Sequence, residues 1–576
     1  MTGAGHNLFR RCVHRAASSS FSFPLSSKSL HVKPKVLLVS FSGKTTTPWP
    51  VMQSPSNDPL YPYAYTSGRW LHRDKEQRTS RYIDFNFDRL CNKVLALCPE
   101  ATHIISYEKE EGGYNKVFIF LLDNGKRIVA RLPTRVAGPS SLTTNSEVAT
   151  ITYIKARTTI PVPDILDWSD DSTNPIGSEY IIMQHAQGVP LRERWPTMSG
   201  SQYTKCVQSI CMTMKQLATL EFPAYGSLYF ANAPIDSASK MDFVEGFCIG
   251  PHCGTTYWDC KDGQTLSAPH TGPWSDLSAY ASGLIDNGYS RLPVPGTESS
   301  RPSYFGTVEE HQNLLRSAKE VMRCLALEPH IRNAAAPTLL HADLHARNIY
   351  VSNDDPTKVT CLIDWQSSSI EPAFIYAHEV PDFATPPHSS YSEESEEETP
   401  SQVPSMTEQE KKLEKVARFC SQAYDICTKA FIPKLRVARS VDQPLVRPFQ
   451  YCNTSWRDSA PAVRQEFLDL ANQWEKLGLT GRCPYNPTAE ELRLHQKEYK
   501  SFQHVQDLKL MLMDLLHTDS DGWVPTERWE EVRHAHKEVF DMAIETARDG
   551  EDETEDDHLS EEDVRELWPF DGHKCN

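Results

Sequence analysis

The residues best suited to chemistry are His341-Ala342-Asp343-Leu344-His345-Ala346-Arg347-Asn348, followed by Ile363-Asp364-Trp365. They supply a carboxylate, an amide five residues later and a second carboxylate sixteen residues beyond the amide. Asn348 and Asp364 carry hard oxygen atoms of the kind Mg²⁺ binds at short range. Asp343 is suited to accept a proton from a hydroxyl nucleophile, the task of a general base. His341 fits a brace for the loop better than a titrating group. His345 cannot act as a fixed cation, because its charge changes with pH. The chemistry these types support is metal-assisted group transfer to a hydroxyl. A His- and Asp-rich loop beside two ordinary strands would explain the composition but not the spacing.

Two short strands must hold these groups. The apolar run Pro337–Leu340 leads into the loop, and Ile349-Tyr350-Val351 and Val359–Ile363 read as strands joined by the turn-forming Ser352–Pro356. Such a hairpin sets Asn348 and Asp364 side by side. The D-x4-N spacing with a later Asp is the catalytic-loop and metal-loop arrangement of phosphoryl-transfer enzymes of protein-kinase type. H-x-D-L-H-x-x-N followed by I-D-W resembles the aminoglycoside phosphotransferase (APH, choline-kinase-like) branch of that superfamily. The segments Glu111–Phe118, Val129–Pro133, Tyr225–Tyr229, Phe247–Pro251, Gly272-Pro273-Trp274, Ser369–Phe374 and Leu567-Trp568-Pro569 further resemble the fungal group called altered inheritance of mitochondria protein 9. The resemblance spans roughly residues 62–570.

The resemblance implies an α+β, bilobal protein-kinase-like fold, with a small antiparallel-sheet lobe and a large, mainly helical one. It implies ATP and Mg²⁺ as cofactors, and a hydroxyl-bearing, small-molecule acceptor that no residue identifies. Residues 103–135 read as three strands, with turns at Gly112-Gly113 and at Asp123-Asn124-Gly125, the latter a strong hairpin signal. In a kinase-like lobe the turn Gly112-Gly113, with Asn115 behind it, lies over the triphosphate. Arg131 stands where the family directs a basic residue at the phosphates; an arginine offers a planar fork where lysine offers a point charge. Thr143–Glu147 offers helix N-cap side chains, followed by Val148, Ile151 and Ile154 on one face. Glu147 either pairs with Arg131 or is an acid favoured in a first helical turn by the macrodipole. Glu179–Ala186 reads as a strand running into a hinge, with Met183 and Ile182 as apolar walls for adenine and His185 at the hinge. The carry-over thus assigns Asp343, His341 and Asn348 to catalysis, Asn348 and Asp364 to metal, and Gly112, Gly113, Asn115, Arg131, Glu147, Met183 and His185 to nucleotide binding. One family residue is missing: the second Asp of D-P-x-x-D, which braces the catalytic loop, is replaced by Ile375 in Glu371-Pro372-Ala373-Phe374-Ile375.

Composition bounds the rest. The chain has 576 residues, a net charge of −17 and an apolar content of 39%. That charge argues against a general nucleic-acid or anionic-membrane surface, and no apolar run reaches the length of a spanning helix. Fifteen scattered cysteines read as buried thiols of a reducing compartment. Cys248, Cys253 and Cys260 beside His252 match no common zinc spacing. No acidic residue precedes Asp58, whereas Arg10, Arg11, Arg15 and four lysines do, the composition of a mitochondrial presequence. The expected organisation is a presequence over 1–57, an extension over 58–100, the first lobe over 101–187 and the helical lobe over 188–548. A disordered acidic insertion is expected over 386–410 and an acidic tail over 549–576. Two other functions fit the same residues: a catalytically silent nucleotide-binding scaffold, and a mitochondrial inheritance or assembly factor using the acidic segments.

Overall fold

The computed structural model describes residues 56, 58–258, 271–294, 301–386, 407–549 and 560–571. The expected presequence, apart from Ser56, and most of the expected insertion lie outside them, as does Cys260.

The chain enters with β1 (Gly68–Trp70), α1 (Asp74–Ser80) and α2 (Phe87–Ala96). An antiparallel sheet follows, built from β2 (Ile104–Glu111), β3 (Asn115–Leu122) and β4 (Arg127–Pro133), then, after α3 (Leu142–Arg157), β5 (Ile165–Ser169) and β6 (Tyr180–Gln184). Its strand order is β2-β3-β4-β6-β5. Side chains alternate across a pleated sheet. Phe118, Phe120, Ile128, Ala130, Leu132 and Ile182 therefore share one face and pack beneath Phe87, Leu90 and Val94 of α2. Ile181 and Met183 share the other face with Val129 and with Val148 of α3. Ile182, expected beside Met183 as an adenine wall, thus lies on the far side of the sheet. Helix α3 begins at Leu142 rather than behind Thr143 or Thr144. Its first turn is capped by Glu179, which accepts from the Ser141 N–H at 2.8 Å and the Thr144 hydroxyl at 2.6 Å.

Beyond β7 (Val189–Pro190) the chain becomes helical, with α4 (Gly200–Ala218), α5 (Leu277–Ser290) and α6 (Val308–Leu327). Val207, Ile210, Met214 and Leu217 of α4, and Leu314, Ala318, Val321 and Leu325 of α6, lie in one apolar core. The loop residues 341–348 are followed by β8 (Ile349–Val351) and β9 (Val359–Leu362), and the strand order of that small sheet is β9-β8-β7. The two-lobed α+β arrangement is the one expected. Helix α7 (Glu408–Phe431) starts inside the expected insertion, where the Thr407 hydroxyl and the Glu410 carboxylate form a capping box.

The C-terminal part has its own core. Helices α8 (Ala489–Leu516), α9 (Trp529–Asp549) and α10 (Glu561–Leu567) bury Leu508, Leu512, Phe540, Val564 and Trp568 together, with β10 (Trp523–Pro525) beside them. Residues 560–571, expected as part of an acidic tail, are instead a packed segment: Val564, Trp568 and Phe570 are apolar enough to hold it down against the charge around them. Leu71, from the far end of the chain, completes this core. Strand β1 pairs antiparallel with β10, Trp70 opposite Trp523. The extension therefore does more than lie on the first lobe; it joins that lobe to the C-terminal helices. No helix of the described residues is long and apolar enough to cross a membrane.

Candidate active site

The hairpin β8–β9 closes as the sequence suggests, and the Ile363 N–H donates to the Asn348 carbonyl at 3.0 Å. Asp364 follows at φ +65°, in the left-handed region. That conformation is uncommon outside glycine and persists where surroundings enforce it, often at functional sites. It swings the Asp364 carboxylate toward the sheet, where Oδ1 accepts from Arg131 Nη2 at 2.7 Å. Arg131 also donates to the Glu147 carboxylate and to Gln366 Oε1. The strand arginine and the helix acid are thus paired, with Arg131 6% and Glu147 4% exposed.

Burial pushes the Glu147 carboxyl up to about 7 against the pull of Arg131. Burial alone would loosen the Arg131 proton, but Glu147 and Asp364 overcome it and hold the guanidinium charged. Two carboxylates share one cation, so this corner of the cleft has an excess of negative charge.

Asp343 faces the same cleft. Its Oδ2 accepts from Asn348 Nδ2 at 2.9 Å and Arg347 Nη2 at 2.7 Å, and its Oδ1 lies 3.0 Å from His345 Nε2. A carboxylate offers about four lone-pair sites, so these three partners leave one. His341 is different. Its Nδ1 accepts from the Asp343 N–H at 3.1 Å, and its Nε2–H donates to the Ile363 carbonyl at 2.9 Å. Burial lowers the ring's pKa below its ordinary value, and it packs on Trp365 with centroids 4.6 Å apart. His341, grouped with the catalytic residues from sequence, ties the Asp343 loop to the strand before Asp364.

The hairpin turn at Gly112-Gly113 leaves open space: a Cβ at either position would meet nothing within 4 Å. Asn115, just beyond, donates through Nδ2 to Gln366 Oε1, so it joins the hairpin to the loop after Asp364. Met183 is buried on the cleft-side face of the sheet, and His185 donates from Nδ1 to the Ala186 carbonyl at 2.8 Å. His252, considered with the cysteines as a metal ligand, pairs instead with the buried Glu371. Among the described residues no group of three or more His, Cys, Asp or Glu is placed to hold a metal ion. A separate cavity of about 430 Å³, lined by Trp168, Asp170 and Asn232, contains none of these side chains.

One comparison with known proteins includes the same loop. Residues 289–375 match the model of the phosphotransferase enzyme family, APH. That stretch, which contains the Asp343 loop, is similar to the family. A subtelomeric hrmA-associated cluster protein of Aspergillus fumigatus is 26% identical over 506 residues, covering 79% of this chain and 95% of that protein. Altered inheritance of mitochondria protein 9 of Yarrowia lipolytica is 22% identical over 519 residues, covering 82% of this chain and 85% of the relative. Among solved structures, a thermostable mutant of aminoglycoside phosphotransferase APH(4)-Ia superposes with a TM-score of 0.32 at 14% identity, over 65% of this chain and 98% of that one.

The Asp343 loop has a brace that sequence reading missed. Asp382 accepts from the Ala346 N–H at 2.9 Å through Oδ1, which also lies 3.6 Å from His345 Nδ1. It takes up the bracing that Ile375 cannot, from seven residues further along the chain. No motif spacing reveals it, because the connecting segment is irregular. Asp382 is exposed, so Asp382→Ala is expected to leave the melting temperature within about 2 °C of wild type, the effect of a few tenths of a kcal/mol. Any chemistry carried by Asp343 would slow severalfold, because the loop N–H loses its acceptor. Gln366 was also missed: it is buried and collects Arg131 and Asn115 on one oxygen while its amide donates to the Ala137 carbonyl at 2.9 Å.

The donor set of this cleft fits Mg²⁺. Asn348 Nδ2 is spent on Asp343, which turns the amide oxygen away, and Asp364 keeps its Oδ2 while Oδ1 is held by Arg131. One amide and one carboxylate oxygen are too few for a dedicated cage. They suit a cation that keeps waters and takes phosphate oxygens as its remaining ligands.

Proposed function

We propose that the chain is an ATP-dependent phosphotransferase that uses Mg²⁺ to move the γ-phosphate to a hydroxyl of a small molecule. The observation that carries this reading is the convergence of Asp343, Asn348, Asp364 and the Arg131–Glu147 pair on one cleft. Bound there, Mg²⁺ with ATP supplies a phosphoryl group whose negative charge is neutralised for attack. Asn348 and Asp364 hold the cation. Arg131 faces the phosphates, and Glu147 fixes its fork. Asp343 orients the acceptor hydroxyl and takes its proton as the new O–P bond forms and the bond to the departing diphosphate breaks. Met183 and the hinge at His185 provide the adenine end. Relatives named as mitochondrial and the basic, acid-free N-terminus place the protein, in this reading, in the mitochondrion.

One observation favours a silent nucleotide-binding scaffold instead. Both terminal nitrogens of Arg131 are engaged by protein acceptors, Glu147, Asp364 and Gln366. Thermal unfolding of the full chain with and without Mg-ATP, beside Asp364→Ala, tests the shared nucleotide site. A ligand at a hundred times its Kd adds about 2.7 kcal/mol to the folded state. The expected result is a Mg²⁺-dependent rise in Tm that Asp364→Ala abolishes. No rise at millimolar Mg-ATP in a folded protein would sink both nucleotide readings, and a rise without turnover on any hydroxyl acceptor would favour the scaffold.

A further inference from the structure

The extension at residues 58–81 grips the glycine hairpin at several points. Arg81, 7% exposed, donates from Nε to the Gly113 carbonyl at 2.9 Å and from Nη1 to the Gln77 carbonyl at 2.9 Å. Its guanidinium lies over the Trp70 ring, 4.5 Å from the centroid. At the base of the hairpin, Glu111 on β2 pairs with Lys116 on β3 and with Lys109, and all three side chains are 1% exposed. The other Glu111 oxygen accepts from the Thr66 N–H at 2.7 Å and the Ser67 N–H at 3.2 Å, while Lys109 and Lys116 donate to the Ala64 carbonyl at 3.0 and 2.9 Å. These charges, costly to bury alone, are satisfied by backbone groups that only the extension provides.

The same segment is clasped to the C-terminal helices. Trp70 Nε1 donates to Asp521 at 2.9 Å, Trp523 Nε1 donates to the Tyr65 hydroxyl at 3.0 Å, and the Leu71 N–H donates to the Gly522 carbonyl at 2.9 Å. A Cβ on Gly68 would meet Trp523 Nε1 at 2.2 Å, so β1 can lie against that indole only as glycine. The hairpin is therefore tied to the larger part of the molecule by a second route, besides the hinge after β6.

The grip on Gly113 also has a direction. In a trans peptide the C=O and the following N–H point oppositely. Holding the Gly113 carbonyl toward Arg81 turns the Tyr114 N–H away from the extension, and neither the Gly113 nor the Tyr114 N–H has an acceptor among the described residues. Successive free amides in a turn are anion donors.

We infer that Arg81 is a positioning residue for the phosphate site: it aims the hairpin amides at the triphosphate, and the β1–β10 clasp keeps that hairpin seated. This rests on the nucleotide reading above. Calorimetric titration of the full chain with Mg-ATP and, separately, with adenosine tests it in wild type, Arg81→Ala, Arg81→Lys and Asp521→Ala. Loss of Arg81 is expected to weaken Mg-ATP at least tenfold and to leave adenosine, held at the hinge, unchanged. Lysine, able to donate one bond to Gly113, restores part of the affinity. Asp521→Ala changes only an exposed turn, so it loosens the clasp without opening the core and is expected to raise the Mg-ATP Kd severalfold. Equal weakening of ATP and adenosine would mean a merely structural role and overturn the inference. So would wild-type binding of Mg-ATP that Arg81→Ala leaves intact. Failure of wild type to bind Mg-ATP removes the nucleotide reading and the inference with it, a result distinct from either.

Discussion

Asp343→Asn is expected to lower the rate of phosphoryl transfer by about a hundred- to ten-thousand-fold, the range for loss of a positioned general base, with Mg-ATP binding retained. The asparagine keeps the shape of the side chain and can still accept from Asn348 Nδ2, which now donates to Asp343 Oδ2 at 2.9 Å. It cannot take a proton from the acceptor hydroxyl. Arg347 loses its charged partner, but it is exposed, and a surface pair of this kind contributes only about 0–1 kcal/mol. Stability should thus be nearly unchanged while turnover collapses. Single-turnover transfer from radiolabelled ATP, once an acceptor is found, separates the two. An unchanged rate in Asp343→Asn would remove it from the base role; loss of Mg-ATP binding would show it to be part of the cation site.

Arg131→Met is expected to destabilise the protein by about 3–5 kcal/mol at pH 8, the effect of leaving one member of a buried ion pair without its partner. Glu147 is the member left behind, 4% exposed and without its cation. The loss should shrink toward pH 5, where Glu147 takes up a proton and no buried charge remains. In wild type the same residue gives stability a pH dependence. Its folded carboxyl is raised to about 7, chiefly by burial, above the ordinary value near 4.5 in the unfolded chain. Between those values the folded state holds a proton that the unfolded state has released. Stability contributed here is full below about 4.5 and is lost as pH rises to 7, by up to about 3 kcal/mol. Glu147→Gln should abolish that slope. Tm measured from pH 5 to 8 for wild type, Arg131→Met and Glu147→Gln checks all three; an Arg131→Met protein as stable as wild type at pH 8 would contradict the pairing account.

The two proposed effects differ in how far sequence could anticipate them. Asp343, Asn348 and Asp364 are close in the chain, and a loop plus a hairpin suffices to bring them together. Spacing alone therefore carried their geometry, as hydrophobic periodicity carried the apolar faces of α4 and α6. The alternation of β6 was equally legible, yet it placed Ile182 and Met183 on opposite faces, which a reading of both as cleft walls overlooked. The pairing of Arg131 with Glu147 could be named only as one of two possibilities, since it depends on how α3 packs under the sheet.

What only the tertiary structure decided spans far larger separations. Asp382 reaches the catalytic loop through an irregular connection, and Gln366 gains Arg131 and Asn115 as partners from the other lobe. His252 takes the buried Glu371 rather than a metal. Val564 and Trp568 turn a segment that composition marks as an acidic tail into part of a core. Trp70 meets Asp521 across 451 residues of chain. Sequence determined the local chemistry because short segments have few conformations to choose among; the long-range partners were set by which apolar faces, here Leu71 against Leu512 and Trp568, had to be buried together.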